Sequence, residues 1–133
     1  MERKEMAALL AFISATDGRR ITDHMPAAWM EILGDYRYED CKGAVRQHFE
    51  ESTEWLMPAH IVRRVKAMGK RRLADVGAVE LTAADSESVE GELRARRRLV
   101  RALVRGDVSA KEYRAYVDSG MRFDEFVGPK RLT

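Results

Sequence analysis

Apolar residues recur every three or four positions through the first half of the chain. The first group follows the i, i+3, i+4, i+7 spacing and comprises Met6, Leu9, Leu10 and Ile13. Such spacing places side chains on one face of a helix and predicts a buried stripe. The first helix is therefore expected over about residues 3–15. Gly18 is expected to end it, because glycine readily adopts the left-handed conformation that closes a helix.

Three more helices are predicted before residue 73. Thr22 or Asp23 is expected to cap the second, whose buried side comprises Trp29, Ile32 and Leu33. The third is expected over about residues 38–51, and the fourth begins at Pro58, since proline is tolerated at a first helical position. With the first helix, these elements predict an all-α chain with a small N-terminal domain of about four helices at residues 1–72.

The charges are segregated along the second half of the chain. Residues 57–72 hold six bases and no acid, 73–93 hold six acids and no base, and 94–105 hold six bases and no acid. The stretch 73–92 has no aromatic residue and contains two glycines, so it can bury little apolar surface. It is predicted to be an acidic flexible linker. Two basic blocks beside an acidic one are typical of nucleic-acid contact or of attraction between helices and a linker.

Residues 93–133 are predicted to form a C-terminal helical segment. An amphipathic helix should end near Gly106, and the sequence from Ser109 to Glu112 matches a capping box that starts another helix. A helical hairpin of this size is expected to bury its large apolar side chains poorly, so they need the N-terminal domain, another copy of the chain or a different protein. The expected partner-binding residues are Leu99, Leu103, Tyr113, Tyr116, Phe123 and Phe126.

The basic residues of the fourth helix form the candidate nucleic-acid site. Phosphate binding needs clustered positive charge without competing carboxylates, and this block provides it. A solvated surface, or cations that complement the helix dipole, would have the same composition. The candidate residues are Arg63, Arg64, Lys66, Lys70, Arg71 and Arg72. The second block, which begins at Arg94, is a weaker candidate because its helix also carries apolar residues expected to pack against a partner.

The sequence predicts no catalysis, no cofactor and no metal. The three histidines are scattered, and no glycine-rich phosphate loop or nucleophile motif is present. Cys41 and His48 share a helical face, but two turns separate them by roughly 10 Å, so a buried core thiol is the favoured interpretation. The single cysteine excludes an internal disulfide, and no apolar run reaches the roughly 18 residues of a membrane span. A cytoplasmic protein is expected.

The order of short motifs resembles the phage replicative-helicase loader and inhibitor family over about residues 6–68. The motifs are Ala8-Leu9-Leu10-x-x-Ile13, Ala28-Trp29-x-x-Ile32-Leu33-Gly34, Ala44-Val45-x-x-His48-Phe49 and Trp55-Leu56-Met57-Pro58-Ala59-x-Ile61. The resemblance implies a protein that binds a hexameric replicative helicase, restrains its ATPase and delivers it to single-stranded DNA. It also implies a folded N-terminal domain and a mobile C-terminal part that becomes ordered on the helicase.

Two other functions fit the same composition. One is a small helical DNA-binding regulator that places the fourth helix in a groove, although this helix begins Pro58-Ala59-His60 and lacks the usual base-reading residues there. The other is a structural protein that self-associates through its C-terminal hairpin. The sequence does not distinguish these alternatives from a helicase loader.

Overall fold

The computed structural model describes residues 1–128, and within this range the chain is all-helical, without a β-strand. The all-α expectation is confirmed. The helices are α1 (Arg3–Asp17), α2 (Met25–Leu33), α3 (Tyr38–Glu51), α4 (Pro58–Val76), α5 (Val89–Arg105), α6 (Ala110–Ser119) and α7 (Phe123–Val127), with a 3₁₀ turn at Ala83–Ser86. The last five residues of the expected C-terminal segment, 93–133, lie outside the described range.

The chain divides into two compact units, and the division differs from the predicted domain boundary. The first unit is Met1–Ala67 and the second begins at Met68, so the boundary lies inside α4 rather than after residue 72. The physical reason is that α4 continues to Val76, and its last turns carry Leu73 and Val76, which pack against the core of the second unit.

The first unit has the predicted buried stripes. The stripe of α1 is at most 1% exposed, and Leu33, Val45, Leu56 and Ile61 are fully buried. Ile32, however, is 51% exposed, so its predicted burial is wrong. Trp29 and Leu33, one helical turn apart, occupy the inner side of the short α2, and Ile32 is rotated about 100° from Leu33. The cap of α2 also differs, because its N-cap residue is His24, without a side-chain bond.

The second unit has its own hydrophobic core, and this corrects the expected partner surface. Leu99, Leu103, Tyr116 and Phe123 are at most 1% exposed, and Tyr113 is 6% exposed. Phe126 is half-buried and packs against the same cluster. The prediction assumed that the hairpin had to bury these residues alone. In the structure, the last turns of α4 and the segment before α5 cover them, with Leu73, Val76, Val79 and Leu81.

The expected linker, residues 73–92, also differs from the prediction. Its start belongs to α4 and its end to α5, and between them the backbone amides of Glu80 and Thr82 donate to the hydroxyls of Tyr113 and Tyr116, at 2.7 and 3.1 Å. Asp85 Oδ2 accepts from the Phe123 amide at 2.9 Å and from the Tyr116 hydroxyl at 2.5 Å. We call residues 77–88 the strap. Although the strap is acidic, several of its residues pack and hydrogen-bond within the second unit.

Candidate functional site

Within the first unit, α4 presents two exposed cations, Arg63 and Lys66, that pair with no carboxylate among residues 1–128. Arg64 behaves differently, because it is half-buried and its Nη1 lies 3.1 Å from Glu51 Oε2. Hydrogen bonds from Gln47 and Arg64 lower the pKa of Glu51. Arg64 therefore links α4 to the end of α3, and of the predicted phosphate ligands in this unit only Arg63 and Lys66 are free.

The second unit contains the other three predicted phosphate ligands. Lys70 and Arg71 are exposed on α4 and have no ion pair within the described chain. Arg72 is half-buried, and its Nη1 donates to the Val104 carbonyl at 3.1 Å. It lies near Gly69, where an added Cβ would be only 2.7 Å from Val104 Cγ1. Arg72 thus joins α4 to α5. Of the six candidate phosphate ligands, Arg64 and Arg72 therefore have partners within the fold.

A pocket of about 290 Å³ lies beside α3 and the start of α4 in the first unit; its lining comprises His48, Ser52, Glu54, His60, Arg63 and Arg64. The Met57 amide donates to His60 Nδ1 at 2.9 Å, so the ring proton is on Nε2, which donates to Glu54 Oε2 at 3.1 Å. His48 Nε2 donates to the Glu54 carbonyl at 2.7 Å. These bonds hold the loop before α4 against both helices.

Cys41 and His48, which share a helical face, have separate structural roles. Cys41 is fully buried, and burial, followed by the nearby charge of Asp40, raises the pKa of its thiol to about 12. The thiol is therefore protonated at neutral pH and a poor nucleophile. Within the described range, no cluster of three or more His, Cys, Asp or Glu residues could hold a metal ion. No described helix is long and apolar enough to cross a membrane.

Three of the motif residues in the first unit are exposed although they are large and apolar. Ile32 is 51% exposed, Trp55 56% and Met57 50%. Trp55 is nevertheless held in place, because the Arg19 guanidinium carbon lies 4.1 Å from the centre of its ring. Arg19 in turn bonds the Leu56 carbonyl at 2.8 Å and pairs with Asp17 at 2.6 Å. The first unit therefore presents an ordered aromatic side chain to solvent.

A groove of about 500 Å³ lies along α1 and α2 in the same unit. Its apolar lining comes from Met6, Pro26, Ala27 and Met30, and charged side chains of Arg3, Asp23 and Glu31 also border it. The sequence predicted neither this groove nor the exposure of Trp55. The available signal for Trp55 was its position in a turn outside every helical stripe. No short sequence pattern could have indicated the groove, because its apolar lining comes from two helices, with Met6 on α1 far in sequence from the residues of α2.

No protein-family model matches this chain, no curated protein matches it significantly, and no solved structure does so either.

Proposed function

We propose that this protein is a phage-type DNA-replication accessory factor that binds a hexameric replicative helicase and loads it on single-stranded DNA or inhibits it. The order of motifs over residues 6–68 supports the proposal, because it resembles the helicase loader and inhibitor family. The four motifs, at residues 8–61, lie within the first unit, Met1–Ala67. The role is binding rather than catalysis, and it belongs in the cytoplasm, where replicative helicases act.

The observation that carries the proposal is the division of the motif residues into two groups. Leu10, Trp29 and Val45 are buried, so packing explains them. Ile32, Trp55 and Met57 are at least half exposed and contribute little to the core. Aromatic residues and methionine are enriched in protein interfaces, and a side chain already held in place loses little entropy on binding. The expected helicase contact therefore lies on the first unit, and the buried aromatic residues of the second unit do not supply it.

Contact with DNA is a second part of the proposal. Arg63 and Lys66 on the first unit, and Lys70 and Arg71 on the second, are exposed and have no carboxylate partner among the described residues. They can neutralise phosphates while the helicase is delivered. A sequence-reading regulator receives less support, because His60, in the first turn of α4, is engaged with Glu54 and Met57. Self-association through the C-terminal hairpin loses its basis, since Tyr113, Tyr116 and Phe123 are buried.

The test is a binding titration of the full-length protein against the hexameric replicative helicase of the organism in which it acts. Ile32→Ala and Trp55→Ala should each weaken binding by about fivefold to 150-fold, because side chains that become buried anchors commonly contribute about 1–3 kcal/mol. Met57→Ala serves as a further variant that does not disturb Arg19. The matched control is Val89→Ala, since Val89 is 75% exposed but lies in the second unit.

The ATPase rate of the helicase, with and without single-stranded DNA, separates the two modes of action. A loader should release its restraint when DNA is present, and an inhibitor should not. Circular dichroism confirms that each variant remains folded. No binding by the wild-type protein, or an equal loss from Val89→Ala, would overturn the proposal.

A further inference from the structure

Helix α5 carries six arginines, and three of them have structural partners within the second unit. Arg96 Nη1 donates to the Val79 carbonyl at 2.9 Å, which fixes the strap. Arg98 Nη1 lies 2.7 Å from Asp124 Oδ1, and Arg105 Nε lies 3.5 Å from Asp107 Oδ2. These three contacts tie α5 to the segments that surround it.

The remaining three, Arg94, Arg97 and Arg101, have no such role. Each is exposed, and none pairs with a carboxylate in the part of the chain that the structure describes. Their i, i+3, i+7 spacing places them on one face, with successive rises of roughly 4.5 and 6 Å along the axis. This face points away from the buried side of α5, which includes Ala95, Leu99 and Ala102. We call these three residues the arginine stripe.

Helix stability does not explain the arginine stripe. Like charges three or four residues apart on a helix repel by a few tenths of a kcal/mol per pair. The helix dipole favours cations only in the last turn, which explains Arg105 but not Arg94 in the second turn or Arg97 near the middle. Glu90, four residues before Arg94, is exposed and forms no ion pair with it among the described residues. Keeping these three cations together therefore lowers the stability of the helix slightly, through repulsion between like charges.

The ligand that suits this face is a chain of regularly spaced phosphates. From position 94 to 101, every residue on this face is an arginine, so it offers charge without an apolar anchor. Each planar guanidinium can bind a phosphate through two hydrogen bonds, which a lysine cannot do. Duplex DNA carries a phosphate per roughly 3.4 Å of axis on each strand, so three side chains spread over roughly 10 Å can reach successive phosphates.

We propose that the arginine stripe of α5 binds the phosphate backbone of a nucleic acid, without reading its sequence. Residues 94–101 contain no Asn, Gln, Ser or Thr that could read base edges beside the three arginines, so affinity should come chiefly from phosphate contacts. The inference does not rest on a helicase partner. A naked oligonucleotide tests it, so its failure is distinguishable from failure of the helicase proposal.

The experiment measures the anisotropy of labelled oligonucleotides of unrelated sequence, single-stranded and duplex, with the full-length protein between about 50 and 200 mM salt. The variant Arg94→Gln/Arg97→Gln/Arg101→Gln should lower duplex affinity by about tenfold or more at low salt. It should also flatten the slope of log affinity against log salt by about two to three units, since each lost phosphate contact removes roughly 0.9. Glutamine preserves helix propensity, and circular dichroism checks the fold.

Two matched variants make the result specific. Arg20→Gln/Lys111→Gln/Arg114→Gln removes three exposed positive charges elsewhere and should leave the slope almost unchanged. Replacing the stripe by three lysines should retain most of the slope, because the charges remain. The inference fails if the wild-type protein does not bind at low salt, or if the control variant loses as much. It also fails if polyglutamate competes as well as DNA, which would indicate an acidic protein partner.

Discussion

Arg19 makes several different interactions within the first unit. Its side chain is 6% exposed, and it pairs with the nearly buried Asp17, bonds the Leu56 carbonyl and stacks on Trp55. Burial would raise the pKa of Asp17, but the hydrogen bonds and charge of Arg19 outweigh this effect and lower it. One residue therefore joins the end of α1 to the loop before α4. Periodicity could not predict this role, because Arg19 lies between helices.

Arg19→Ala should lower the free energy of unfolding by about 1–3 kcal/mol at neutral pH, since it removes the cation that pairs with the partly buried Asp17 and the bond to the Leu56 carbonyl. The loss should shrink in acid. A carboxyl group with a lowered folded pKa stabilises the protein above its unfolded pKa, about 4, and this stabilisation disappears as the pH falls through the folded pKa. Urea unfolding of both proteins between neutral pH and about pH 3 measures the difference.

The neighbouring Arg20→Ala is the control, because Arg20 is exposed and should change stability by less than about 0.5 kcal/mol. A difference between the wild-type protein and Arg19→Ala that stays constant down to low pH would show that the ion pair is not the source of the stability.

At the scale of elements, the strap shows where sequence periodicity stops being informative. The stripe of α1 was predictable because its residues are close in sequence and interact with one common surface. The strap is held by hydroxyls of Tyr113 and Tyr116, which follow their strap partners by 33 and 34 residues. No local pattern encodes such bonds, so composition alone predicts a linker for an acidic segment without aromatic residues. Because the contacts of the strap are not visible in the sequence, the aromatic residues of α6 and α7 were expected to need a partner surface.

Tyr116→Phe should release the strap while it preserves most of the packing. Burial, followed by the hydrogen bond to Asp85, raises the pKa of Tyr116, so its hydroxyl remains protonated and can donate. Its loss removes one of the hydrogen bonds to Asp85 Oδ2, which keeps the bond from the Phe123 amide, and leaves the Thr82 amide without its acceptor. The change should cost about 1–3 kcal/mol. A glutamate-specific protease should then cut after Glu80 and Glu87 faster than in the wild-type protein, as mass spectrometry can show.

Tyr38→Phe is the matched control, because no described residue accepts from or donates to the Tyr38 hydroxyl. It should leave cleavage of the strap unchanged. Rapid cleavage at Glu80 and Glu87 in the wild-type protein would instead support the flexible linker predicted from composition.

At the scale of the whole molecule, the sequence identifies the cations of the candidate site but not which of them have partners within the fold. Exposed cations such as Lys66 and Lys70 were identifiable, because a block of bases without acids is visible in the sequence. The structural roles of Arg64 and Arg72 were not, since their partners, Glu51 and the Val104 carbonyl, lie 13 and 32 residues away. Whether a cation is free depends on tertiary contacts, which charge counts do not contain.

Because Cys41 is buried, the rate at which its thiol is labelled can report the opening of the first unit. It is the only cysteine in the chain, and its buried, protonated thiol should react with a thiol reagent only when that unit opens. Val45→Ala, at another buried position of α3, should accelerate labelling by about fivefold or more, because the loss of two buried methyl groups costs over about 1 kcal/mol. Both tryptophans also lie in this unit. Thiol labelling and tryptophan fluorescence can therefore follow the opening of one half of the chain without any added probe.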